Sequence, residues 1–112
     1  MFRFTRCKNP ECDLFSLQGK DYCLRHVEDP VDCAEELRTF VRGTATHRDL
    51  NLSCIELADE DLHSFSFRVC NFSEGSFRNI DFSSATLKLC FFQYSTFIDC
   101  RFSESDIKYS VF

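Results

Sequence analysis

From Leu50 onward, a large apolar residue recurs every five positions. The series is Leu52, Leu57, Leu62, Phe67, Phe72, Phe77, Phe82, Leu87, Phe92, Phe97, Phe102, Ile107 and Phe112; eight of these thirteen are Phe. A helix repeats every 3.6 residues and a flat strand every second one, so neither keeps every fifth residue on one side. A chain that turns a corner every five residues does. Four such corners close a square coil of about twenty residues, with one large side chain pointing inward from each wall. Two positions before each large residue the side chain is mostly small: Cys70, Gly75, Ala85, Cys90, Ser95, Cys100, Ser105 and Ser110. A narrow tube needs small inward residues beside large ones. The exceptions are Leu50, Ile55, Glu60, Phe65 and Ile80, and four of these five fall in the first coil. That coil is expected to be distorted where a preceding element packs on it and caps it.

Upstream the period changes. Asp29-Pro30 reads as a helix start, an N-cap acceptor followed by proline at the first helical position. Val31 to Arg42 follows, with Cys33, Ala34, Leu37, Phe40 and Val41 at helical spacing on one face, and Gly43 as the stop. Its predicted role is to cover an apolar surface. Thr44 to Asp49 reads as a polar connection in which His47 is expected to be solvated.

The eight cysteines divide. Cys7, Cys12, Cys23 and His26 have the spacing Cys-x4-Cys-x10-Cys-x2-His. Two short-range pairs joined by a longer loop supply a tetrahedron of metal ligands, and a structural zinc is the expected cofactor. The segment has too few apolar residues to fold alone, and metal binding would contribute that free energy. The alternative is a set of reduced thiols with His26 on the surface. Gly19, Tyr22, Cys23 and His26 together resemble the second half of small treble-clef-like zinc modules. In the solenoid, Cys70, Cys90 and Cys100 read as small buried residues, and Cys54 is expected to face outward.

Stretches such as Cys70-Asn71-Phe72-Ser73-Glu74 and Ala85-Thr86-Leu87-Lys88-Leu89 resemble the pentapeptide-repeat pattern, small-x-Phe/Leu-x-x, across residues 50–112. The resemblance implies a mainly β fold, a right-handed quadrilateral β-helix of about three coils. The expected organisation is a zinc-binding module at 1–28, a helix and linker at 29–49 acting as the N-terminal cap, and the solenoid at 50–112.

Residues twenty apart stack on one wall, so surface columns can be written down. Arg68, Lys88 and Lys108 form a basic column, beside an apolar one of Val69, Leu89 and Tyr109. Around the corner lie Asn71, Phe91 and Val111. Exposed apolar patches rimmed by charge mark contact sites. Val69, Leu89, Phe91, Tyr109, Val111 and Phe112 are therefore the expected interface, with a second copy as the simplest partner. The alternative is that the zinc module folds back over them.

Composition narrows the function. A net charge of −5 argues against nucleic acid or an anionic membrane as partner. No apolar run approaches the length of a membrane span, and the first residues lack a secretory h-region, so a cytoplasmic location is expected. No phosphate loop, nucleophile elbow or paired-carboxylate constellation is legible, and a tube packed with Phe leaves no substrate cavity, so no enzymatic activity is expected. The sequence points to a protein–protein interaction or scaffold module. The mid-repeat ending at Phe112 fits the N-terminal cytoplasmic part of a longer membrane-associated or channel-like protein. The alternative implied by the resemblance is a DNA mimic that binds a type II topoisomerase. The basic column interrupts the acidic rod which that role requires.

Overall fold

The five-residue period is a period of corners. In the computed structural model, which describes residues 5–17 and 20–112, the backbone enters the left-handed region at every fifth residue from Asp49 to Tyr109, with φ between 53° and 65°. None of these thirteen residues is glycine. Between alternate pairs of corners lie three-residue strands. They are β1 (Thr46–Arg48), β2 (Glu56–Ala58), β3 (Ser66–Arg68), β4 (Ser76–Arg78), β5 (Thr86–Lys88), β6 (Thr96–Ile98) and β7 (Asp106–Lys108).

Strands β1, β3, β5 and β7 stack in parallel on one wall, and β2, β4 and β6 on another. Single parallel bridges tie the other two walls, one through Asn51, Asn71, Phe91 and Val111 and one through Asp61, Asp81 and Arg101. The register on every wall is twenty residues, so Leu57 lies beside Phe77 and Phe67 beside Leu87. The result is a mainly β, four-walled solenoid of about three coils, with its apolar residues on the axis.

The rings form columns along that axis. Phe72 stacks on Phe92 at 4.9 Å and 4°, and Phe92 on Phe112 at 4.8 Å and 10°. Phe77 meets Phe97 at 5.0 Å, and Phe82 meets Phe102 at 5.0 Å. Successive rings around one coil meet edge to face, as Phe72 and Phe77 do at 71°. Both geometries suit the ring quadrupole.

The small positions do more than leave room. Ser95, Ser105 and Ser110 donate Oγ–H to the carbonyls of Phe72, Phe82 and Leu87 in the preceding coil, at 2.8 to 2.9 Å. The Cys90 and Cys100 thiols reach the Phe67 and Phe77 carbonyls in the same way. Gly75 is small for a different reason: a Cβ there would stand 2.8 Å from the Phe77 ring. The first coil has no coil beneath it to serve, and its large residues turn to the cap instead. Glu60 accepts from Arg42 Nε at 2.7 Å, Ile55 is fully buried, and Leu50 packs against the core. The expected distortion is absent. β1 pairs in register with β3 and β2 with β4, and Asp49, Cys54, Asp59 and Ser64 turn their corners like the rest.

The cap is α1 (Pro30–Gly43), which buries Cys33 and Val41 and rests Leu37 on the core. Phe40, expected on the buried face, is 52% exposed. Asp29 holds the N-cap position without a side-chain hydrogen bond, and its carbonyl accepts from Cys33 N at 3.0 Å.

His47 departs most from expectation. It is 3% exposed and occupies the axial place in β1, stacked on Phe67 at 5.2 Å and 13°. Its Nε2–H donates to the Val41 carbonyl at 3.0 Å. That carbonyl lies in the last turn of α1, where backbone acceptors lack helical partners. One imidazole thus begins the aromatic stack and satisfies the end of the capping helix. The pairing therefore begins at Thr46, before Leu50.

Candidate metal centre and solenoid surfaces

Three short local structures bring the ligands together. After Cys7, the chain turns back through Asn9 and Pro10. Cys12 N donates to the Asn9 carbonyl at 3.0 Å, and Glu11 N donates to Asn9 Oδ1 at 3.0 Å. Leu14 N donates to Cys12 Sγ at 3.4 Å, and Cys7 N to the Leu14 carbonyl at 2.9 Å, closing the knuckle. Cys23 and His26 sit on one helical turn, with His26 N and Val27 N both bonded to the Cys23 carbonyl. Gly19, expected to turn the connecting loop, lies outside the described residues.

The four ligand atoms of Cys7, Cys12, Cys23 and His26 lie within 4.8 Å of one another. Cys12 Sγ stands 3.7 Å from Cys23 Sγ, and His26 Nδ1 stands 3.5 Å from Cys7 Sγ and 3.2 Å from Cys23 Sγ. All three sulfurs are buried in a small cluster with Leu14 against it, whereas His26 is at the surface. The thiols differ. Burial raises Cys7, but backbone hydrogen bonds near Cys23 and Asn9, with His26, outweigh it and draw its pKa down to about 7. Burial pushes Cys23 up to about 12. The group could hold a metal ion, and all eight cysteines are free of disulfides.

The remaining cysteines pack. Cys70 and Cys90 are fully buried, and Cys100 is half-buried. The Cys70 thiol is raised by its hydrogen bond with Cys90 and by burial, which makes it a poor nucleophile. Cys54 points out of the coil as expected, but Leu17, Leu24 and Cys33 cover it in part.

Sequence reasoning missed Asn51, which joins the two halves. Its Nδ2 donates to the carbonyls of Phe15 at 2.8 Å and Ser16 at 2.6 Å. Its Oδ1 accepts from Asn71 Nδ2 at 3.2 Å and Ser53 N at 3.2 Å. Arg25 adds an ion pair to Glu74 at 3.4 Å. The metal-ligand segment therefore rests on the wall of Asn51 and Asn71, and Asn71 is buried rather than part of an exposed stripe.

The corner column remains open. Val69 is half-buried, Leu89 is 44% exposed and Tyr109 is 78% exposed. Phe91 is half-buried, and Val111 and Phe112 are exposed toward the C-terminal end. The basic column gains a member, because β1 places Arg48 in register with Arg68, Lys88 and Lys108. Lys88 and Lys108 share Asp106 at 3.7 and 3.8 Å.

No protein-family model, curated protein or solved structure matches the chain. Among the described residues, no helix is long and apolar enough to cross a membrane.

Proposed function

We propose that this chain is a pentapeptide-repeat protein carrying a structural zinc, and that it works without catalysis as an interaction module that associates with a second copy. The observation behind the association is the composition of one corner. Left-handed backbone suits Asp and Asn best and suits β-branched residues worst. The corner diagonally opposite carries Asp59, Asn79 and Asp99. This corner begins with Asp49 in the first coil but then carries Val69, Leu89 and Tyr109, at φ of 55° to 56°. Val69 in that conformation is costly and does not fill the core, which favours a role outside the fold. Val111 and Phe112 continue the apolar surface onto the C-terminal end of the coil. The DNA-mimic reading is weaker, since four cations occupy one wall.

The test uses a substitution the fold tolerates. Leu89→Asp with Tyr109→Asp puts the preferred residue type at both corners, so the coil should keep its stability. Sedimentation velocity should find the unchanged chain in oligomers and the variant as single chains. A single-chain mass for the unchanged protein at about 1 mM, the weak end of the range of specific affinities, would end the reading.

Zinc is favoured by the donor set and its spacing. Sulfur ligands about 2.3 Å from a tetrahedral zinc stand about 3.8 Å apart, and a sulfur and a nitrogen about 3.5 Å apart. The corresponding separations here are 3.7 Å for Cys12–Cys23, 3.5 Å for Cys7–His26 and a shorter 3.2 Å for Cys23–His26. Cys7, Cys12, Cys23 and His26 would fill its coordination sphere, leaving it a folding rather than a catalytic role. Elemental analysis of the purified chain should give one zinc per chain, lost in Cys23→Ser and retained in Cys70→Ser.

A further inference from the structure

The self-association proposed above leaves open what the cationic wall faces. Arg48 and Arg68 are adjacent in register, and neither has a carboxylate partner among the described residues. Like charges directly opposite each other on neighbouring strands destabilise a sheet. The chain keeps four of them in one column although its net charge is −5. Together with the apolar corner they border a shallow hollow of about 460 Å³ lined by Arg48, Asp49, Arg68, Lys88, Leu89 and Tyr109 among others, in which the cations outnumber the one carboxylate. The hollow needs an occupant with carboxylates in one row and apolar side chains in the next.

The same chain carries such a surface. The outward face of α1 presents Asp32, Glu36 and Phe40 at four-residue spacing. Phe40 is 52% exposed, and neither Asp32 nor Glu36 meets a cation among the described residues. Residues four apart on a helix lie on one face, about 6 Å apart along the axis. Asp32 to Phe40 therefore spans about 12 Å. Four cations at a strand spacing of about 4.8 Å span about 14 Å. The Asp32–Glu36 step of about 6 Å is close to the Arg48–Arg68 step of about 4.8 Å, the charges oppose, and Phe40 continues the acidic row where Leu89 and Tyr109 flank the basic one.

We infer that the exposed acidic face of α1 in one copy docks on the cationic wall and apolar corner of another. This rests on the self-association reading and gives it a geometry. The two surfaces are different, so one contact is heterologous, and a twofold dimer would use it twice.

A charge exchange tests the pairing. Arg48→Glu with Arg68→Glu in one protein, and Asp32→Lys with Glu36→Lys in another, should each weaken self-association by at least about tenfold. An equimolar mixture should recover affinity to within about threefold of the unchanged chain, since each altered surface then meets its complement. Association of the unchanged chain should weaken between 0.05 and 0.5 M salt, conditions set to span roughly a threefold change in screening length. If a charge-reversed chain fails to fold by circular dichroism, Arg48→Gln with Arg68→Gln and Asp32→Asn with Glu36→Asn carry the same test. Both must then weaken association. Variants that associate like the unchanged chain, a mixture without recovery, or salt-independent association would overturn this docking while leaving self-association standing. An unchanged chain that stays single would overturn both.

Discussion

His47→Ala separates this structure from the solvated-loop reading of the same residue. The imidazole is buried, stacked on Phe67 at 5.2 Å, and 5.4 Å from Phe40. Truncation removes a ring from the end of the axial column, and truncating a large buried side chain typically costs about 2–5 kcal/mol. Two polar effects accompany it. The Val41 carbonyl loses its donor, and His47 Nδ1, which is buried without a hydrogen-bond partner, disappears. Each is worth about 1–3 kcal/mol with opposite sign, so they largely cancel. His47→Phe tests that cancellation. It keeps the ring, deletes both polar groups, and should stay within about 1 kcal/mol of the unchanged chain. Equilibrium urea unfolding at saturating zinc, followed by far-ultraviolet circular dichroism, gives both values, provided the slope with denaturant is unchanged. The melting temperature of His47→Ala should fall by more than about 8 °C. A loss below about 0.5 kcal/mol for His47→Ala, the effect of an ordinary surface substitution, would refute the reasoning.

Three further outcomes follow from the same contacts. Asn51→Leu should cost about 1–3 kcal/mol for each buried group it leaves unpaired, and brief proteolysis should then cut the metal-ligand segment faster while sparing the coil. Equal cleavage rates would mean that Asn51 does not join the two halves. Gly75→Ala forces a methyl against the Phe77 ring and should destabilise by about 1–3 kcal/mol in the same unfolding assay, a loss that an open site would not show. Ser105→Ala removes the donor to the Phe82 carbonyl while Ser105→Cys retains a weaker one, so the loss should be about 1 kcal/mol for alanine and smaller for cysteine.

The walls of the coil were legible because the signal is periodic. Thirteen large residues at one spacing fix the axis, the corners and the columns, and the small positions could be named with them. The metal ligands were legible because short pairs in sequence are close in space. What escaped was polar chemistry serving two elements at once. His47 lies five residues before Leu52, and Ala45 supplies the small position before it, yet a histidine does not count as a large apolar residue. Its place becomes visible only once the Val41 carbonyl at the end of α1 lies beside the axial column and accepts its Nε2–H. Asn51 likewise falls at an ordinary wall position, and its role exists only once Phe15 and Ser16 lie against that wall. The large residues of the first coil were noticed as exceptions but misread as a distortion. Glu60 pairs with Arg42 of the cap, Ile55, Leu50 and Phe65 join the core on which Leu37 of the cap also packs, and the backbone there is regular.

The four-walled coil is tested most directly by nuclear Overhauser contacts in a uniformly labelled sample. Parallel pairing requires contacts between residues twenty apart along every wall, as between Leu57 and Phe77 or Phe67 and Leu87, and between the stacked rings of Phe72 and Phe92. Their presence from Thr46 to Lys108 is the predicted result. Contacts three and four residues apart across the same span, with the Phe72, Phe82 and Phe102 rings in water, would contradict it.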